Sequence, residues 1–158
     1  MFGFLKLKPD HPRIAQLRRL GLFALLSPRE LRVVDGLLHE RRYLAGEVIF
    51  DEGEVGEALY VVLQGRVSIL RAGAPNEGRV AEIPQGAMFG ELALLDGDPR
   101  TAQARALDDC VLAALSRTDF NQLVDTHGAI ASRIALQLAR DLGQKLVATH
   151  LAPAARPL

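Results

Sequence analysis

The stretch Phe89-Gly90-Glu91-Leu92-Ala93-Leu94-Leu95-Asp96-Gly97-Asp98-Pro99-Arg100-Thr101-Ala102 gathers the residues of this chain best suited to hold an anion. Gly90 lets the backbone turn and approach a ligand closely. Leu92 to Leu95 are helix formers, enough for one short turn that Asp96-Gly97 ends, and the open N–H groups at its start make an anion seat. Pro99 pushes Asp98 toward an extended conformation, so the chain should return as a strand. That return brings Arg100 beside the seat, where its planar fork suits two phosphate oxygens. Thr101 adds a hydroxyl donor. Glu91 needs a separate reason, because a carboxylate beside an anion seat repels phosphate. A ribose hydroxyl one sugar's width away supplies it, donating to the carboxylate while Arg100 offsets the charge. A cyclic 3′,5′-nucleotide has one phosphate charge and only its 2′-hydroxyl free. It fits better than ATP, which wants a longer glycine-rich loop, a lysine and a metal.

Those residues must be held by the elements around them. Glu47–Phe50, Ala58–Leu63, Val67–Leu70, Arg79–Ile83 and Val111–Leu115 are short, β-rich runs. Gly46, Gly53, Gly56, Gly65 and the turn over 73–78 punctuate them. Many short strands without βαβ alternation predict a mainly β fold: an antiparallel jelly roll (a double-stranded β-roll) with N-terminal and C-terminal helices. Ser27-Pro28-Arg29-Glu30 spells a helix start, with Ser27 as N-cap, Pro28 first in the helix and Glu30 closing a capping box, while Leu26 and Leu31 form a staple. Ser116-Arg117-Thr118-Asp119 repeats the device. After a break at His127-Gly128, the stripe Ile130, Ile134, Leu138, Leu142 and Leu146 predicts a helix laid on the core. The expected organisation is an N-terminal helical extension over 1–19, the ligand-binding domain over 20–148, and a frayed tail over 149–158.

Composition removes several other functions. Apolar residues at 49% and charged residues at 24% describe an ordinary globular domain, and its 158 residues suffice for one core. The 19 basic and 19 acidic residues cancel, so no global field draws the chain to nucleic acid, and direct DNA binding is not expected. Lys6, Lys8, Arg13, Arg18 and Arg19 form a local basic excess, read as a solvated helix face. Lys6 and Lys8 also interrupt the N-terminal apolar residues, so neither a signal peptide nor a membrane span is expected. The lone Cys110, in an apolar run, reads as buried packing in a reducing compartment, hence the cytoplasm. His11, His39, His127 and His150 are scattered, read as helix-surface residues, and imply no metal.

The segment from Phe89 to Leu95, followed by Pro99-Arg100-Thr101-Ala102, resembles the phosphate-binding cassette of cyclic-nucleotide-binding domains. That family includes kinase regulatory subunits, nucleotide-gated channels and bacterial catabolite regulators. The resemblance extends through Gly46-Glu47-Val48-Ile49-Phe50, Gly53-Glu54 and Leu59 to Val67, and covers residues 20 to 148. It implies that Gly90, Glu91, Leu92 and Ala93 hold ribose and phosphate. It further implies that Arg100 pairs with the cyclic phosphate, that Thr101 and Ala102 complete the seat, and that Ile69, Val80 and Ala81 line the pocket. The family's base-reading hydroxyls have no counterpart in Leu142 to Leu146, and Thr101 suits cGMP as well as cAMP, so the base stays open. The catabolite regulators carry a helix-turn-helix domain after the long helix; set beside them, this sequence resembles an isolated sensor module.

The expected function is therefore a non-catalytic cyclic-nucleotide sensor, with cAMP or cGMP as ligand and no further cofactor. It would relay binding through its C-terminal helix to a protein effector or a second copy. The competing expectation is a ligand-free jelly roll that uses the same helix to dimerise or dock. A cupin-like metal enzyme would need clustered histidine and carboxylate ligands, which the sequence lacks.

Overall fold

The computed structural model describes residues 12–151, and their side chains through Ala148. Among these residues eight strands form two four-stranded antiparallel sheets. One orders β1 (His39–Tyr43), β8 (Cys110–Ser116), β3 (Ala58–Gln64) and β6 (Met88–Phe89). The other orders β2 (Val48–Phe50), β7 (Gln103–Ala106), β4 (Val67–Leu70) and β5 (Arg79–Ile83). Helices α1 (Pro12–Arg18) and α2 (Pro28–Asp35) precede the strands, and α3 (Arg117–Thr126) and α4 (Gly128–Leu151) follow them. The jelly roll flanked by helices is the fold the sequence predicts.

The two central strands show why their sequences are nearly unbroken apolar runs. Side chains alternate between the faces of a strand, and both faces of β3 and β8 are covered. Leu59, Val61, Leu63, Ala113 and Leu115 join the core beneath the helices. Val62, Cys110 and Leu112 face the other way, into the core between the sheets with Phe50, Val67 and Phe89. Cys110 is buried, its Sγ donates to the carbonyl of Arg66 at 3.2 Å, and burial pushes its pKa up. Packing is its role in this structure.

Helix α2 starts as its residues dictate. Ser27 accepts from the Glu30 N–H at 3.3 Å, and Glu30 accepts from the Ser27 N–H at 3.0 Å. Glu30 also pairs with Arg133 of α4. The Ser27 N–H is the main influence holding the Glu30 carboxyl below its usual range, with the Arg133 charge acting the same way and partial burial against it. A depressed pKa means that this stabilisation is present above the ordinary carboxylate range and is lost as pH falls through the folded-state value. Glu30→Ala should therefore lower the thermal midpoint at neutral pH, and the gap should close on acidification. A gap independent of pH would contradict the assignment.

Several expectations change. Ile14 and Leu17 of α1, in the described part of the expected extension over 1–19, lie in the helix-side core. Arg13 is not merely solvated: it pairs with Asp35, and its Nη2 donates to the Asp35 carbonyl at 3.0 Å. Lys6, Lys8 and His11, with residues 152–158 of the expected tail, lie outside the described residues. Helix α4 runs past 148 to Leu151. Its apolar stripe is buried at Ile130, Ile134 and Leu138 and half-buried at Leu142, and it emerges at Leu146, which is 60% exposed. His39 lies on β1, where its Nε2 is 3.1 Å from the Asp119 carboxylate. That strand, His-Glu-Arg-Arg-Tyr, is a polar edge with no apolar pattern to announce it.

Candidate functional site

Arg100 is placed by its own backbone. Its N–H donates to the Glu54 carbonyl at 2.7 Å, its carbonyl accepts from the Gly53 N–H at 2.8 Å, and Pro99 bridges Val55. This short antiparallel pairing is the extended return that Pro99 predicts, and β7 begins just beyond it. The side chain runs inward, with Cζ 4.0 Å from the centre of the Phe50 ring. Phe50 tilts against Tyr60 and Phe89, which stack on each other at 5.3 Å. A guanidinium over an aromatic face is attracted by the ring's quadrupole.

Two main-chain carbonyls finish the placement. Nη1 donates to Gly90 at 3.2 Å and Nη2 to Ala58 at 2.7 Å. Arginine has five N–H donors, and Nε is buried without an acceptor. Among the described residues, no ion pair involves Arg100. Burial is the main influence on it and pulls its pKa down, against the opposing pull of Tyr60, Glu54, Glu57 and Glu91. The group stays charged, so the fold holds a half-buried cation without a contacting counter-ion. Such a site favours an anion.

Gly90 is needed twice. It sits at φ 74° and ψ 22°, the left-handed region, and opens a 3-10 turn over Glu91–Leu94. A Cβ there would stand 2.7 Å from Arg100 Nη1. Gly90→Ala should cost about 1–2 kcal/mol through the backbone alone and push the guanidinium off its seat. Urea unfolding with a parallel ligand titration checks this, and a variant unchanged in both would contradict it. At the far end of the turn, Arg117 of α3 donates through Nη1 to the carbonyls of Asp96 at 2.7 Å and Gly56 at 3.0 Å.

A cavity of about 480 Å³ opens above these groups, within the range of small-molecule sites. Gly90, Glu91, Leu92, Ala93, Arg100, Thr101, Ala102 and Ile69 all line it. Val80 and Ala81 do not, which corrects their expected placement. Ala81 pairs with Ile69 and Ile83 with Val67, so Ala81 alternates with the cavity-lining Ile83, but it is exposed and does not line the cavity. Val80 alternates to the opposite face and is 47% exposed. Ile83 lines the cavity in their place.

Other wall residues were not foreseen. Phe50 was read only as the end of a strand, and the unbroken apolar run Val48-Ile49-Phe50 carries no alternation that would single it out. Arg71 lines the mouth, its Nε donating to the Thr101 carbonyl at 3.4 Å. Lys145 reaches the cavity from α4 and pairs with Glu91 Oε1. Nothing local in the sequence links positions 54 residues apart. The described residues contain no cluster of histidine, cysteine, aspartate and glutamate able to hold a metal.

The sequence model of the cyclic nucleotide-binding domain matches residues 40–127. The chain belongs to this family. The cyclic nucleotide-binding domain is 37% identical over 122 residues to the cyclic AMP receptor protein of Thermus thermophilus, an alignment covering 77% of this chain and 56% of that protein. The chain thus spans about half the length of that relative. Its fold matches the N-terminal domain of a transcriptional regulator from Streptomyces coelicolor at TM-score 0.75 and 32% identity, covering 82% of this chain and 94% of that one. It also matches the regulatory domain of Toxoplasma gondii PKA, crystallised with cAMP, at TM-score 0.64 and 32% identity, covering 73% and 46% of the two chains. These three carry the names of receptors and regulators. No helix among the described residues is long and apolar enough to cross a membrane.

Proposed function

We propose that this domain is a non-catalytic sensor that binds a cyclic 3′,5′-nucleotide, cAMP or cGMP, in the cavity above Phe50. Arg100 takes the cyclic phosphate, Glu91 accepts the ribose 2′-hydroxyl, and Gly90, Leu92, Ala93, Thr101 and Ala102 shape the seat around them. Ile69 and Ile83 supply apolar contact. The observation that carries this reading is the half-buried guanidinium, held by two carbonyls and without an ion pair among the described residues, 10 positions from a glycine in the left-handed region. A monoanionic ligand completes that charge balance, while a polyphosphate would overload it.

Helix α4 is the relay. Leu136, Leu146 and Val147 leave exposed apolar surface on it, at 48%, 60% and 55%, suited to a protein effector or a second copy. The buried thiol of Cys110 fits a reducing compartment, hence the cytoplasm. The same helix face is the feature that favours a ligand-free interaction module. Calorimetric titration with cAMP, cGMP and linear 5′-AMP separates the two readings. The sensor predicts micromolar or tighter binding of a cyclic nucleotide and much weaker binding of the linear one, whose phosphate carries more charge. Heat-silent titrations with all three, from a chain that elutes as a stable oligomer, would favour the interaction module.

A further inference from the structure

Arg100 is not the only guanidinium in the cavity wall. Arg71 follows Ile69 by two residues, and both line the cavity, as same-face neighbours on a strand should. Its backbone is fixed by the hairpin between β4 and β5. The Arg71 N–H donates to the Gly78 carbonyl at 2.7 Å, and the Arg71 carbonyl accepts from the Ala74 N–H at 3.2 Å. Gly78 sits at φ 84°, and a Cβ there would stand 3.0 Å from the Arg71 carbonyl oxygen, so this close approach favours glycine. The side chain is engaged through Nε, which donates to the Thr101 carbonyl at 3.4 Å. Among the described residues neither Nη group has a partner. Lys145, the other cation at the cavity besides Arg100, is taken up by Glu91.

We infer that Arg71 reads the edge of the base and makes the cavity selective for a guanine cyclic nucleotide. The inference rests on the cyclic-nucleotide reading above. Arg100 balances the one phosphate charge and Glu91 takes the ribose hydroxyl, which leaves the base to lie against Ile69 and Ile83. Those side chains give it apolar contact and no hydrogen bond. The open fork of Arg71 stands beside them and offers donors only. Guanine presents O6 and N7 side by side, two acceptors that an arginine fork can meet together. Adenine carries an amine where guanine has O6, so the same fork would face a donor there and find N7 alone. A guanidinium that served the phosphate, or a general positive field, would act on every cyclic nucleotide alike.

The test is calorimetric titration of the full chain, Arg71→Met and Arg71→Lys with cGMP, cIMP and cAMP. The hypoxanthine of cIMP keeps O6 and N7 but lacks the 2-amino group of guanine. The unsubstituted chain should bind cGMP and cIMP about ten-fold more tightly than cAMP, toward the lower end for a bidentate contact because Arg71 is exposed. Arg71→Met keeps an apolar stem and should bring cGMP and cIMP down to the level of cAMP. Binding of cAMP should fall much less, since it loses only a screened charge. Arg71→Lys returns the charge without the fork and should not return the preference. Equal weakening of all three ligands in Arg71→Met, or a full preference kept by either variant, would overturn the inference. Tighter binding of cAMP by the unsubstituted chain would also overturn it. So would cIMP behaving like cAMP, which would make the 2-amino group the feature that is read. Each of these results leaves the sensor intact. An unsubstituted chain that binds none of the three would remove the sensor reading and the selectivity with it, so the first titration tells the two failures apart.

Discussion

Arg100→Leu should weaken binding of the cyclic nucleotide by about 2–5 kcal/mol, the usual cost of removing one member of a desolvated charge pair. Leucine keeps apolar contact with the Phe50 ring but presents no donor to a phosphate. It also leaves the Gly90 and Ala58 carbonyls without the guanidinium hydrogens they accept. Against that loss, the variant no longer buries a cation, so its stability should change less than its affinity. Arg100→Lys separates charge from shape. It restores a cation but not a fork able to serve two carbonyls and an anion together, and should bind between the other two proteins. Calorimetry on the three reads the order directly. If Arg100→Leu binds as tightly as the unsubstituted chain, the phosphate is not held by this residue.

The second large effect should come from beneath the site. Phe50 is 9% exposed, meets Tyr60 and Phe89, and carries the guanidinium on its face. Phe50→Ala should destabilise the domain by about 3–5 kcal/mol, through lost transfer energy and the void left between the sheets. Phe50→Leu fills much of that void but offers no ring face. It should recover most of the stability in urea unfolding while still binding nucleotide more weakly, since the cation–π contact is gone. Equal recovery of stability and affinity in Phe50→Leu would mean that the ring acts by volume alone. A cost of about 0.5 kcal/mol or less for Phe50→Ala, the size of ordinary surface effects, would mean that the floor is not packed as described.

What the sequence disclosed follows from which physical signals are local. Ser27 and Glu30 announce α2 because both halves of a capping box lie within four residues. The runs over β3 and β8 announce themselves because both faces are buried, which leaves no polar alternation to dilute them. Gly90, Glu91 and Arg100 were legible because one turn and one proline bring them together. The polar edge strand β1 and the two-residue β6 were not, since neither carries a hydrophobic period. Val80 was misplaced because pocket lining depends on strand register, and one step along β5 turns a side chain to the other face. Lys145 was invisible for a different reason. Its contact with Glu91 exists only after α4 has packed back across the roll, and no spacing rule reaches that far.

The central claim, that the half-buried Arg100 guanidinium and its neighbouring acid together hold one cyclic nucleotide, is tested most directly by a crystal structure at saturating cAMP or cGMP. The account predicts a cyclic phosphate oxygen within hydrogen-bonding distance of the Arg100 guanidinium, about 3 Å, and the ribose 2′-hydroxyl donating to Glu91. A cavity that stays empty at saturation, or a nucleotide bound elsewhere while Arg100 keeps only its two carbonyl partners, would contradict it.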